Sequence, residues 1–163
     1  MESILHVPKG AEVLLKKYLS SLICVYLRLM NMELDQLTEK IIGRVYTVAN
    51  ALGSGFLEKV YENALAYELR KQGLQVEQQR AIPVYYEKAL VGEYLADLLV
   101  GGNVLVELKA IKNIEDVHKA QCINYLKATG LTICLLINFG TPKVQIKRII
   151  NNPSRSCTER AED

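Results

Sequence analysis

The chain has 163 residues, of which half are hydrophobic, and this is enough to form one hydrophobic core in a single domain. Residues 1–31 carry four basic and two acidic side chains, which leaves residues 32–163 with equal numbers of each. Net charge therefore gives no support for nucleic-acid binding. The four cysteines are widely spaced, which excludes a C-x-x-C zinc site and indicates thiols in a reducing, cytoplasmic setting.

Residues 1–31 form a leader whose order the sequence leaves open. The segment from Leu14 to Met30 is apolar, but two lysines and Arg28 interrupt it, so the clean run is shorter than the roughly 20 residues of a membrane span. No small-residue cleavage site follows a basic start, which argues against a signal peptide. Met32, just before a new helical pattern, is an alternative start for the chain.

Two helices are predicted next along the chain. Apolar residues recur with a helical period from Glu33 to Leu52, and Gly53-Ser54-Gly55 ends that pattern. A second amphipathic pattern runs from Phe56 to about Lys71, and Gly73 is placed to end that helix. The chain therefore begins its folded part with two consecutive helices.

From Val76 onward the pattern changes to β-strands with one intervening helix. The predicted elements are strands over Ala81–Tyr86, Val91–Val100 and Val104–Ile111, a helix capped by Asn113 and ending near Thr129, a doubly buried strand over Leu131–Phe139, and a last strand over Lys143–Ile150. The order α-α-β-β-β-α-β-β predicts a mixed-sheet α/β or α+β domain over residues 32–152. Residues 153–163 are predicted to be a polar tail.

Two acidic residues interrupt the apolar strands of a predicted hairpin. Asp97 precedes the turn residues Gly101-Gly102-Asn103, and Glu107 and Lys109 follow them. A three-residue loop places Asp97 opposite Glu107, with Lys109 on the same face because side chains alternate along a strand. A two-residue loop would instead pair Asp97 with Val106, so the three-residue loop is a prediction of the functional interpretation.

The hairpin acids predict a cation site. Like charges placed opposite each other are destabilising unless a positive charge lies between them, and oxygen ligands suit Mg²⁺ or Mn²⁺. The alternative is that both acids lie on a solvated sheet face, with Lys109 as their surface partner.

Two further motifs carry candidate residues on helices. Glu58 lies one turn before Glu62 and either reaches the site or is a solvated residue of a first helical turn. Tyr61 is expected to pack in the core or to bond to the site. Val117, Gln121 and Tyr125 recur every four residues and form one packing stripe, with or without a functional role for the polar tips.

Together these motifs resemble the GxxExxY protein family of the PD-(D/E)XK nuclease superfamily. The resemblance covers about residues 33–150 and rests on a set of motifs in a fixed order: Gly55-x-x-Glu58-x-x-Tyr61, Asp97, Glu107-x-Lys109, Gln121-x-x-x-Tyr125 and Ile137-Asn138-Phe139-Gly140. It implies a restriction-endonuclease-like mixed β-sheet flanked by helices. It also implies a divalent metal held by Asp97, Glu107 and Glu58. The residue before Asp97 is alanine, where the superfamily motif has proline.

The resemblance implies a divalent-metal-dependent nuclease that hydrolyses phosphodiester bonds, in DNA rather than RNA. Glu58, Asp97, Glu107 and Lys109 would be the catalytic residues, with Lys109 as a water-orienting group, a charge stabiliser or a general base. Gln121 and Tyr125 would position phosphate or water. Two alternatives are a non-cleaving module that binds nucleic acid or protein, and a small interaction protein in which the acids are structural. A homodimer is compatible with each of these, and no membrane partner is expected.

Overall fold

The structure is a computed structural model that describes the backbone of residues 9–151 and the side chains of residues 18–151. Two compact units are present, one ending at Gln36 and one beginning at Leu37. The predicted tail over residues 153–163 lies outside the described residues, as do residues 1–8 of the leader. The division into leader, nuclease-like domain and tail stays a prediction.

The described residues form three helices and five strands, in the predicted order. Their bounds are α1 Lys9–Leu52, α2 Glu58–Lys71, β1 Val76–Tyr86, β2 Ala89–Val100, β3 Val104–Lys109, α3 Asp116–Thr129, β4 Ile133–Asn138 and β5 Gln145–Ile150. The five strands form one mixed sheet in the order β1-β2-β3-β4-β5, flanked by helices. The predicted fold class is therefore confirmed.

Helix α1 begins well before the predicted start at Glu33, while its predicted end at Leu52 is confirmed. The leader contains residues of good helix propensity, so the chain from Lys9 onward is helical. Its apolar side chains between Tyr18 and Met32 are exposed. None of the described helices combines the length and the hydropathy that a membrane crossing requires.

The connection from β3 through α3 to β4 sets the direction of the central strands. Strands β3 and β4 pair in parallel, and every other neighbouring pair is antiparallel. A parallel pair needs a crossover, which α3 supplies. All six residues of β4 are buried, which confirms the prediction of a doubly buried strand.

The start of α3 differs from the prediction, and the N-cap assigned to Asn113 is wrong. Glu115 occupies the cap position in an extended conformation, and α3 begins at Asp116. The Glu115 backbone N–H donates to Nδ1 of His118 over 3.0 Å. His118 thus takes part in capping the helix.

The end of β4 is fastened to the segment that follows β3. The Asn138 side chain is fully buried, and its Oδ1 accepts hydrogen bonds from the backbone N–H groups of Ile111 and Gly140, each at 3.0 Å. Its Nδ2 donates to the Ile111 carbonyl over 2.8 Å. The Phe139 N–H donates to the Lys109 carbonyl, also over 2.8 Å. These bonds fix the backbone directly after Lys109.

Replacing Asn138 with alanine is expected to lower the free energy of unfolding by about 3 kcal/mol, because it removes the side chain that three part-buried backbone groups of Ile111 and Gly140 bond to. Urea denaturation measures the change. Asn50→Ala is the matched control, since Asn50 is exposed on α1 and alanine favours the helix. Equal midpoints for the two variants would contradict the role assigned to Asn138.

Candidate active site

The hairpin register that the functional interpretation requires is present. Val100 pairs with Val104 and Leu98 with Val106, so the loop consists of the three predicted residues. Gly101 and Gly102 both have positive φ values, of 59° and 69°, which glycine adopts without strain. The prediction of a three-residue loop is confirmed.

The backbone pairing between β2 and β3 ends at Leu98 and Val106. At the next position of β2, the side chain of Asp97 forms the hydrogen bond to β3. Its Oδ2 accepts the backbone N–H of Leu108 over 2.7 Å. Burial raises the pKa of Asp97, an effect that the hydrogen bond from Leu108 and the charge of Lys109 partly offset. The carboxylate is thus held at the point where the two strands separate.

Glu107 and Lys109 form a largely buried ion pair on β3. Glu107 is 3% exposed, and its Oε1 accepts a hydrogen bond from Lys109 Nζ over 2.7 Å. Burial, followed by the charge of Asp97, raises the pKa of Glu107 to about 7. Burial lowers the pKa of Lys109, but the hydrogen bond and the charge of Glu107 outweigh it and the net shift is upward. A hydrogen bond and an ion pair therefore hold Lys109 against Glu107.

The second oxygen of Glu107 is the unusual atom of this cluster. Oε2 is buried and accepts no hydrogen bond from any described residue. A buried carboxylate oxygen without a partner is costly, and two neighbouring carboxylates add repulsion. A hard cation bound by carboxylate oxygens would remove both costs.

Glu58 approaches the same stretch of β3 from the first turn of α2. Its side chain is exposed, and Oε1 accepts the backbone N–H of Ala110 over 3.2 Å. Its charge contributes to the raised pKa values of both Glu107 and Lys109. The structure thus brings the four predicted catalytic residues to one place, along the end of β3 and the residue after it.

Two residues that sequence reasoning did not select complete this cluster. Glu62 is 2% exposed, and its carboxylate accepts hydrogen bonds from Lys59, Gln78 and Gln79 over 2.7–2.9 Å. The Gln79 amide also donates to Asp97 Oδ1 over 3.3 Å. Gln79 has a φ of 52°, a left-handed value that is uncommon outside glycine and often found at functional sites. Gln79 therefore links the α2 acid to the hairpin acid.

The tyrosines and Gln121 support the cluster from its surroundings. Tyr125 is 1% exposed; its hydroxyl donates to the Leu95 carbonyl over 3.0 Å and accepts a hydrogen bond from the Gln121 amide. Burial, followed by the charge of Glu107, raises the pKa of Tyr125. Val117 is 64% exposed, so its predicted membership of a packing stripe is wrong. The stripe starts one turn later, at Gln121.

Tyr61 belongs to the core, as one of its two predicted roles requires. Its ring stacks on Phe139 with centroids 4.4 Å apart, and its hydroxyl donates to the Gly53 carbonyl over 2.8 Å. The same hydroxyl accepts the Phe56 N–H over 3.2 Å. Tyr61 thereby fixes the loop that precedes Glu58.

The carboxylates of Glu58, Asp97 and Glu107 can be compared with the ligands that a divalent metal ion requires. Among the residues that the structure describes, no three His, Cys, Asp or Glu side chains converge as ligands of one ion. Glu58 and Asp97 are turned toward backbone N–H groups and Glu107 toward Lys109, as expected for carboxylates that repel one another. The free oxygen of Glu107 beside Asp97 fits an oxygen-seeking cation.

Comparisons with known proteins give one family and two distant structures. The comparison with curated protein sequences finds no match. The crystal structure of SSO0001 is 15% identical, with a TM-score of 0.46 over 76% of this chain and 61% of that one, so the chain spans less than two thirds of its length. The crystal structure of an alkaline exonuclease (LHK-Exo) from Laribacter hongkongensis is 15% identical, with a TM-score of 0.33 over 74% of this chain and 85% of that one.

The family comparison covers most of the chain. The pattern of the PD-(D/E)XK nuclease superfamily matches residues 35–149, a segment that contains the whole acidic cluster, strands β1 to β4 and all of β5 except its last residue. The mixed sheet flanked by helices is consistent with the restriction-endonuclease-like fold. On this match and this fold, the chain belongs to the PD-(D/E)XK nuclease superfamily.

Proposed function

We propose that the protein is a divalent-metal-dependent nuclease of the GxxExxY type that hydrolyses phosphodiester bonds in DNA. The observation that carries the proposal is the buried Oε2 of Glu107, which lies beside Asp97 and Lys109 and has no hydrogen-bond partner in the described part of the chain. Folding alone gives no reason to bury this oxygen without a donor, whereas a metal site does.

Each residue of the cluster has a role that follows from its contacts. Asp97 and Glu107 would hold Mg²⁺ or Mn²⁺, with Glu58 contributing from α2. The ion, when bound, would polarise the phosphate and lower the pKa of a bound water. The Lys109 ammonium would stabilise charge that develops on the phosphate. The Gln121 amide, held by the Tyr125 hydroxyl, would position the phosphate or the attacking water.

Addition of Mn²⁺ or Mg²⁺ is expected to raise the melting temperature of the wild-type chain, because an ion that binds only the folded state stabilises it by about 2.7 kcal/mol at a hundredfold excess over Kd. Differential scanning fluorimetry across a metal titration measures the shift. Glu107→Gln should remove most of the shift, since the amide offers a weaker ligand. A wild-type melting temperature that does not respond to either ion would count against the metal site.

The catalytic test uses linear, circular and single-stranded DNA, each incubated with the purified wild-type chain and Lys109→Ala in Mg²⁺, Mn²⁺ or EDTA. The expected result is metal-dependent cleavage by the wild-type chain and its loss in the variant. Products from the circular substrate would assign endonucleolytic action. Absence of cleavage by a folded wild-type chain on all three substrates would overturn the proposed activity on DNA.

One observation favours the alternative of a non-cleaving module in the form that binds protein. The equal numbers of acidic and basic residues over 32–163 provide little of the electrostatic attraction on which DNA binding usually depends. Metal binding in a calorimetric titration, combined with absent cleavage, would support this alternative.

The exposed thiol of Cys24 and the buried thiols of Cys122 and Cys134 fit the reducing, cytoplasmic setting that we also propose. A homodimer stays a prediction.

A further inference from the structure

A pocket lies between the β1–β2 hairpin and α3. It has a volume of about 440 Å³, within the range of small-molecule sites. Pro83, Tyr85 and Tyr94 line it from the hairpin, and Asn124 and Lys127 line it from α3. The pocket therefore combines aromatic rings, an amide and an ammonium group.

The polar and aromatic groups of this pocket are open to solvent. The Tyr85 side chain is 63% exposed and that of Tyr94 is 39% exposed. Asn124 and Lys127 are exposed and have no hydrogen-bond or ion-pair partner among the described residues. The pairing of β1 with β2 shifts register between Val84 and Tyr85, and such a bulge re-aims side chains.

The Tyr94 wall of the pocket contacts the buried residue Tyr125. The Tyr94 ring lies 5.4 Å from that of Tyr125, measured between centroids. The Tyr125 hydroxyl in turn contacts Gln121 and the Leu95 carbonyl. Contacts thus run from the pocket through Tyr94 and Tyr125 to Gln121, the residue assigned above to phosphate positioning.

We propose that this pocket binds an unpaired nucleotide of the substrate strand. The base stacks on Tyr85 and Tyr94, the Asn124 amide bonds to the base edge, and Lys127 contacts a phosphate. The assignment rests on the proposed nuclease function and narrows the substrate to nucleic acid with a single-stranded segment, because bases in a duplex have both faces covered. Stacking also supplies affinity that the balanced charge of residues 32–163 does not.

The test measures binding of a fluorescein-labelled twenty-residue oligothymidylate, and of a duplex of equal length, by fluorescence anisotropy in EDTA, where a metal-dependent enzyme does not cleave. Tyr85→Ala is expected to weaken single-strand binding about fivefold or more, the effect of losing one stacked base. Lys127→Gln should reduce the slope of log K against log salt by about 0.7, the effect of one lost phosphate contact on a single strand.

Tyr86→Ala is the matched control, because Tyr86 is 70% exposed on the same hairpin and does not line the pocket. Equal affinities for Tyr85→Ala and Tyr86→Ala would overturn the pocket, as would a wild-type chain that binds duplex as tightly as the single strand. DNA cleavage by the wild-type chain with unchanged binding in Tyr85→Ala would overturn the pocket and leave the nuclease standing. If Tyr85→Ala loses binding while Tyr86→Ala keeps it, and the wild-type chain does not cleave DNA with any metal ion, the result would support the pocket and overturn the nuclease activity.

Discussion

Replacing Asp97 with asparagine is expected to lower the rate of metal-dependent DNA cleavage about a hundredfold or more, because a catalytic metal contributes several kcal/mol and each 1.36 kcal/mol is tenfold in rate. Asparagine is nearly isosteric with aspartate and keeps an oxygen that accepts the Leu108 N–H. It loses the charge that would attract the ion. Single-turnover cleavage at saturating Mn²⁺ measures the effect.

The same variant separates catalysis from stability. Burial raises the pKa of Asp97, so the charged carboxylate lowers the stability of the metal-free chain. The Asp97 carboxylate also repels that of Glu107. Asp97→Asn should therefore unfold at the same urea concentration as the wild-type chain, or at a higher one. Asp116→Asn is the control, since Asp116 is a fully exposed aspartate bound to Lys119. Cleavage by Asp97→Asn at the rate of Asp116→Asn would remove Asp97 from the mechanism.

The parts of the site that the sequence predicted are those set by local periodicity. The alternation of β2 and β3, together with the Gly101-Gly102-Asn103 loop, determines which residues pair across the hairpin. That register holds up to Leu98 and Val106. It does not predict that the ladder then opens and that Asp97 bonds to Leu108 instead, because strand separation depends on the neighbouring elements.

The parts that the sequence did not predict depend on contacts between distant segments. In the sequence, Glu62 is distinguished only by lying one turn after Glu58 on the predicted helix. Its burial depends on hydrogen bonds from three donors in α2 and β1. Gln79 has no sequence signal, because its left-handed backbone is visible only in the folded chain. The helical spacing between Glu58 and Glu62 was the one signal that pointed to the second acid.

Replacing Gly140 with alanine is expected to lower the free energy of unfolding by about 3 kcal/mol or more, the upper range for forcing atoms into a packed interior. A Cβ at this position would lie 2.3 Å from both the N and the O of Ile111, and 2.6 Å from the carbonyl carbon of Ala110. These are backbone atoms, and the two hydrogen bonds between Ile111 and the Asn138 side chain prevent Ile111 from moving aside. Urea denaturation measures the loss.

Gly43→Ala is the matched control for this substitution. A Cβ at Gly43 meets no atom within 4 Å, and alanine in a helix interior is favoured over glycine by about 1 kcal/mol, so this variant should be more stable than the wild-type chain. If Gly140→Ala still folds, the backbone at Ala110 must shift, and Ala110 donates the hydrogen bond that holds Glu58. Cleavage should then fall although Gly140 contacts no catalytic side chain in the described residues. Wild-type stability and wild-type cleavage in Gly140→Ala would show that the connection between β3 and β4 does not position the site.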